Sequence, residues 1–325
     1  MSSTNVKIVW GATGLWAATP ELTETWLETL QDLNFTDIDT AQNYGKSEEL
    51  LGQAGAASRF LVDTKVSETM GPTVATGDVV IKAGRESLEK LKTKSVNVYY
   101  LHFPERRCAL EDTLSGIDAL YKEGAFKKFG LSNFLPTEVE DVVRVCKEKG
   151  YVLPTVFQGT YSAVARRAET ELLPVLRKHN MAFYAYSPIA GGFLTKTRVV
   201  LETGAGTGRW DPNSYLGQVY MGLYAKPSYM DALDAWVAIA RDEGVSQGEL
   251  AYRWVCCNSA LRGEFGDRIL IGGVKPELFR EAAGWIQKGP LSAEAARRIE
   301  ALWDGIKADA PLDNFNDSIS KMPSS

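Results

Sequence analysis

Phe35-Thr36-Asp37-Ile38-Asp39-Thr40-Ala41-Gln42-Asn43-Tyr44-Gly45-Lys46-Ser47-Glu48 is the stretch that decides how this chain folds. A short strand-like run, Phe35 to Ile38, delivers a carboxylate at Asp39, and a phenol, Tyr44, follows five residues later on a loop. The next two strand-like runs end in the same manner, one at Lys65 in Leu61–Val66 and one at His102 in Val98–His102. Chemically capable side chains at the carboxyl ends of successive strands are the arrangement of a βα barrel, whose active sites sit at that face.

Working outward, strand-like runs fall at Lys7–Gly11, Thr36–Asp39, Phe60–Lys65, Val96–His102, Lys128–Leu131, Thr155–Gln158, Ala182–Tyr186 and Arg268–Ile271. Several are continuously apolar rather than alternating, as expected of strands covered on both faces. Amphipathic segments lie between them. Glu21–Leu33 opens after Thr19-Pro20, and Leu110–Glu123 and Pro136–Lys149 are closed by Gly124 and Gly150, the proline and glycine standing where helix starts and stops favour them. Eight strands alternating with helices predict an α/β fold, a (β/α)8 TIM barrel, over an open sheet. Ser246–Asn258 and Ser292–Lys307 are two additional helices on either side of the last strand. Gly191–Lys226 has little periodicity and reads as a long loop after strand seven, of a length usual for functional lids. One barrel domain over 1–312 is expected, with 313–325 a flexible tail.

Composition narrows the function. The net charge is −5, from 36 basic and 41 acidic residues, and no dense Lys/Arg stripe is present, so nucleic acid is not an expected partner. No apolar run reaches the roughly 18 residues of a membrane span, and the polar start shows no targeting segment. Cys108, Cys146, Cys256 and Cys257 have no metal-type spacing. A reduced, cytoplasmic protein without a metal site is expected. Val9-Trp10-Gly11-Ala12-Thr13-Gly14 begins like a dinucleotide-binding glycine loop, but Ala17 stands where the third glycine belongs, and a glycine pattern alone is weak.

The four polar residues have a chemistry in common. Carbonyl reduction needs a proton donor for the oxygen, and a tyrosine, with a pKa of about 10, is a poor one at neutral pH. A neighbouring ammonium, Lys65, favours the phenolate and polarises the O–H bond. Asp39 can hold that ammonium charged, and His102 can orient the substrate oxygen. Of the chain's two histidines, the other, His179, falls at the end of a predicted helix, where capping accounts for it.

The set resembles the aldo-keto reductase family. The matching strings are Asp39-Thr-Ala-Gln-Asn-Tyr44-Gly-Lys-Ser-Glu48, Thr64-Lys65-Val66, Leu101-His102-Phe103-Pro104, Gly130-Leu-Ser132-Asn133-Phe, Val156-Phe-Gln158 and Tyr184-Ala-Tyr186-Ser187-Pro188. Leu153–Tyr161 and Glu169–Pro174 look most like the aflatoxin-aldehyde reductase branch. The resemblance implies NADPH/NADP+ bound without a Rossmann domain, with Tyr44 as acid, Lys65 and Asp39 assisting, and His102 orienting the carbonyl. It implies that Ser132, Asn133 and Gln158 hold the nicotinamide amide and that Tyr186 stacks on its ring. Ser187, Pro188, Ile189, Gly191, Gly192 and Leu194 would line the pyrophosphate, Arg209 would reach the phosphates, and Lys275 and Arg280 would meet a 2′-phosphate. Trp16, Phe103 and Trp210, with Tyr44, would form an apolar pocket for a hydrophobic or aromatic carbonyl compound. The chain departs from the family at Leu278 and Ala282, which cannot make polar adenine contacts, and around Asn314-Phe315, where the branch carries an arginine. The resembled branch is often dimeric. The same fold also serves cofactor-binding channel subunits, and the same four residues could run a dehydratase or isomerase.

Overall fold

The computed structural model describes residues 6–67, 72–203, 210–273 and 275–318. Eight parallel strands close on themselves in sequence order: β1 Lys7–Gly11, β2 Asp37–Asp39, β3 Leu61–Val66, β4 Val96–Leu101, β5 Phe126–Ser132, β6 Pro154–Thr160, β7 Ala182–Tyr186 and β8 Arg268–Gly272. Closure is made by β1 and β8, paired from Lys7 with Arg268 to Gly11 with Gly272. Each strand therefore ends at one common face, and the residues singled out above fall at or just past those ends.

The core has two parts. The larger lies between strands and helices and includes Trp10, Trp26, Leu51, Leu131, Phe183, Trp236 and Ile299. The smaller fills the barrel itself, with Val9, Val98, Tyr100, Val156, Tyr184 and Leu270. Gly130 is required here, because a Cβ on it would lie 2.2 Å from the ring of Tyr100. Local signals work as the sequence suggests. Thr19 accepts from the Leu22 amide at the start of helix Pro20–Asp32, and Gly150 takes the left-handed conformation that ends helix Pro136–Lys149. Ser246 and Ser292 cap helices Gln247–Arg253 and Ala293–Ile306.

Three expectations need correction. Gly191–Lys226 is not an unstructured loop over its described part. A short 3₁₀ stretch, Ala190–Thr195, leads to helices Arg198–Glu202 and Tyr215–Tyr224. The second of these buries Val219, Tyr220, Leu223 and Tyr224 as one stripe. Its two glycines weaken helix propensity, and the exposed Tyr215 and Leu216 blur the polar face that would have revealed the period. The expected helix Arg167–His179 is two, Ala168–Glu171 and Leu173–Lys178, since Pro174 has no N–H to continue the first. Asp313–Ser318, read as the start of a free tail, is packed down, with Asp313, Phe315 and Ser318 buried; residues 319–325 lie outside the described residues.

Candidate active site

The site is built on the β2–β3–β4 ends. Lys65, fully buried, donates from Nζ to Asp39 Oδ2 at 2.6 Å and to the Thr40 carbonyl at 2.8 Å. The same ammonium lies 5.1 Å from the centroid of the Tyr44 ring and 5.6 Å from that of Tyr100. Burial works against its charge, but Asp39 and then the Tyr44 oxygen outweigh it, so its pKa is raised and it stays an ammonium. The other Asp39 oxygen accepts from Gln158 Nε2 at 2.8 Å. Gln158, expected at a ligand amide, thus turns its NH₂ to Asp39, and the carboxylate is gripped from both sides of the barrel.

Tyr44 is carried on a loop fastened at nearly every residue of the opening motif. Gln42 donates to the Ala83 carbonyl at 2.8 Å and accepts from the Ser67 amide at 3.1 Å. Thr40 and Ser47 share a 2.8 Å hydroxyl bond, and Thr64 donates to Glu48 at 2.6 Å. Gly45 has φ +57°, and a Cβ there would meet the Trp16 carbonyl oxygen at 2.4 Å. Only glycine fits that approach and that dihedral together.

His102 follows β4 directly. Its ring stands edge-on to Tyr44, 5.9 Å between centroids, and stacks on Phe103 at 4.3 Å. Nδ1 lies 3.0 Å from the Ser67 hydroxyl. Burial, and then the charge of Lys65, hold its pKa well below the usual histidine value. The imidazole is neutral at pH 7, and when Ser67 donates to Nδ1 the Nε2–H remains available as a donor. His179, by contrast, bonds Glu140 at 2.8 Å at a helix end, a structural pair.

Beside His102 lies an amide network. Asn133 Nδ2 donates to the His102 carbonyl and to Ser132 Oγ, both at 3.0 Å, and Asn133 Oδ1 accepts from the Tyr186 hydroxyl at 2.9 Å. Asn133, Ser187 and Ala190 have positive φ, as do Gly191 and Gly192. Non-glycine residues held in that region cost energy and cluster at functional sites. The loop after β7, formed by residues 187–192, is tied down by Trp210, whose Nε1 donates to the Gly191 carbonyl at 2.9 Å, and by Trp236, which donates to the Leu194 carbonyl at 3.1 Å.

The remaining expected residues divide. Trp16 is 61% exposed at the rim beside Gly45. Phe103 is buried against His102 and against Phe315, 4.7 Å away. Trp210 stacks on Tyr220 and lies tilted against Phe193, where it braces the loop. Pro188 is buried and Ile189 half-buried. Lys275 is exposed and forms no ion pair among the described residues. Arg280 is paired with Asp32 at 2.7 Å, so its charge is already met. Arg209 lies outside the described residues. Sequence reasoning missed Ser67, Phe315 and Asn316. Asn316 Nδ2 donates to the Asn133 carbonyl at 3.0 Å, and Arg106 donates to Asn316 Oδ1 at 2.8 Å. Ser67 could have been found as the polar residue two past Lys65. Nothing local marks Phe315 or Asn316, which reach the site only through the return of the chain end.

Residues 7–304 match the model of the aldo/keto reductase family. The chain belongs to the aldo-keto reductase family. It is 41% identical over 288 residues to the oxidoreductase sirO of Leptosphaeria maculans, covering 88% of this chain and 87% of that one. It is 32% identical over 289 residues to aflatoxin B1 aldehyde reductase member 2 of Homo sapiens, covering 85% and 80%. With the aldo-keto reductase pigE of Monascus ruber it shares 30% identity over 299 residues, covering 88% and 87%. This aldo-keto reductase is therefore an oxidoreductase of a family that acts on carbonyl compounds. No helix of its described residues is long and apolar enough to cross a membrane.

Proposed function

We propose that this chain reduces a hydrophobic aldehyde or ketone to the alcohol at the expense of NADPH, with Tyr44 as the proton donor. The observation that carries the proposal is the position of Lys65. A fully buried ammonium is fixed by Asp39 at 2.6 Å on one side and faces the Tyr44 ring, 5.1 Å from its centroid, on the other. A cation so held favours the phenolate over the phenol, which makes the phenol a better acid toward a substrate oxygen. The neutral His102, oriented by Ser67, supplies a second donor to the same oxygen. Two donors aimed at one oxygen stabilise the alkoxide as it forms.

The residues present fit a nicotinamide dinucleotide. Gly191 and Gly192 have positive φ, and a Cβ on Gly192 would meet nothing closer than 3.6 Å, so its backbone can approach a pyrophosphate. Ser132, Asn133, Tyr186 and Gln158 stand beside His102 and Asp39; Lys275 is an exposed cation suited to a 2′-phosphate, Arg209 is a further candidate, and Arg280 would have to leave Asp32 to join them. The bound dinucleotide would supply the hydride; this chain's part is to hold the carbonyl and move the proton.

The substrate class follows from the wall over His102. Phe103 and Phe315 form a continuous aromatic surface, with Trp16 at the rim. Apolar walls with a few convergent donors suit an aromatic or other hydrophobic carbonyl compound, and the relatives whose printed names include aldehyde reductase agree with it. The four free cysteines fit a reducing, cytoplasmic setting. Assay of NADPH consumption with aromatic aldehydes and ketones, for the wild type and Tyr44→Phe, tests the proposal.

A further inference from the structure

The barrel interior holds more charge than the proton relay uses. Side chains alternate along a strand, so Asp37 and Asp63 share the inward face with Asp39 and Lys65, and Arg268 enters from β8. Two of the three carboxylates have a cation: Asp39 has Lys65, and Asp37 has Arg268. Asp63 has none among the described residues. It is fully buried. Its Oδ1 accepts from neutral donors only, Asn97 Nδ2 at 2.7 Å and the Val98 amide at 3.1 Å, and its Oδ2 is buried without a partner. Asp63 precedes Lys65 by two residues, about 6.6 Å along β3, and is the register partner of Asp39.

Two cations and three carboxylates leave the array one charge negative unless Asp63 carries a proton. A buried carboxylate without a cation is costly. Burial, then Asp39 and Asp37, push the Asp63 carboxyl up to about 8, against the pull of Asn97 and Arg268. The other titratable groups that face it are Lys65, Tyr100 and Tyr184.

We propose that Asp63 is a positioning residue for the catalytic cation: it is a neutral carboxylic acid in the working enzyme, and its ionisation in alkaline solution sets a second negative charge against Lys65 and weakens the hold of Lys65 on the Tyr44 phenol. The inference rests on the reading of Tyr44 as proton donor and Lys65 as its activator, and its tests are chosen to stand apart from turnover.

Asp63→Asn keeps the shape and removes the ionisation. The first readout is the ultraviolet titration of Tyr44, taken as the signal that Tyr44→Phe lacks. In Asp63→Asn the phenol titrates at a pH about one lower than in the wild type, since a facing negative charge has gone. The second is infrared spectroscopy: a protonated carboxyl band fades in the wild type between about pH 7 and 9 and is absent from Asp63→Asn. The third is the pH profile of carbonyl reduction. Because reduction needs Tyr44 as the phenol, the variant stays within about threefold of wild-type kcat at pH 6.5 and loses activity on the alkaline side at a pH about one lower than the wild type does. Coincident Tyr44 titrations in the two proteins, or a wild-type carboxyl already ionised at pH 6, overturn the proposal. Should no carbonyl compound be turned over, the first two readouts still decide it, and should Asp63→Asn fail to fold, Asp63→Ser gives the same comparison.

Discussion

Gln158 on β6 donates its side-chain amide to Asp39 on β2, the strand diametrically opposite, at 2.8 Å. The bond crosses the barrel and fixes the carboxylate that fixes Lys65. Gln158→Leu removes it and leaves a buried carboxylate oxygen unsatisfied, at a cost of about 1–3 kcal/mol. The expected outcome is a melting temperature lower by several degrees and kcat lower by about tenfold, since 1.4 kcal/mol is a factor of ten. Calorimetry and steady-state kinetics measure both.

Lys65→Met removes the cation and strands Asp39 in the interior. Breaking a buried pair by deleting one member costs about 3–5 kcal/mol, and loss of the activating charge is expected to lower kcat by about 10²–10⁴. Lys65→Met/Asp39→Asn recovers much of the stability and little of the activity. Denaturant unfolding beside single-turnover rates separates the two effects.

His102 supplies a pH dependence of stability. Its folded pKa lies well below its ordinary value of about 6.5, so below that pH the unfolded chain binds a proton that the folded one refuses. Stability is therefore fully present above about pH 6.5 and declines as the pH falls through the region beneath it. His102→Gln removes this contribution. The fall in melting temperature from pH 7 to pH 5 should be smaller in the variant, by calorimetry at matched ionic strength.

Phe315 tests the substrate class. Phe315→Ala strips the far half of the aromatic wall that backs His102. KM for a bulky aromatic aldehyde is expected to rise about tenfold, equivalent to 1.4 kcal/mol of lost binding, while KM for a small aliphatic aldehyde changes far less. Equal effects on the two substrates would place Phe315 outside the binding surface.

The sequence carried most of the barrel because its strands are buried on both faces. Val96–Leu101 and Ala182–Tyr186 read as apolar runs with few competing patterns. The opening motif was legible for a different reason: each of Asp39, Gln42, Gly45, Ser47 and Glu48 has a local fastening job, so their types are fixed by neighbours a few residues or one strand away. What stayed hidden depends on distant partners. Helix Tyr215–Tyr224 takes its stripe from packing on Phe193 and Trp210, which no window of sequence contains. Phe315 and Asn316 reach Phe103 and Asn133 across some two hundred residues of chain, and Trp210 looked like a pocket wall because its role as a brace depends on the Gly191 carbonyl. The same holds for Asp63, whose lack of a cation among the described residues appears only once Arg268 is seen to pair with Asp37.

The central claim is that Tyr44, activated by Lys65, protonates a carbonyl reduced with NADPH. The most direct measurement follows nicotinamide absorbance for wild type and Tyr44→Phe across aromatic aldehydes and ketones, with NADPH binding read separately by tryptophan fluorescence. The account predicts oxidation by the wild type, a loss of at least about 10² in kcat for Tyr44→Phe, and unchanged NADPH affinity. Tight NADPH binding with no carbonyl reduced, or equal rates in the two proteins, would contradict it.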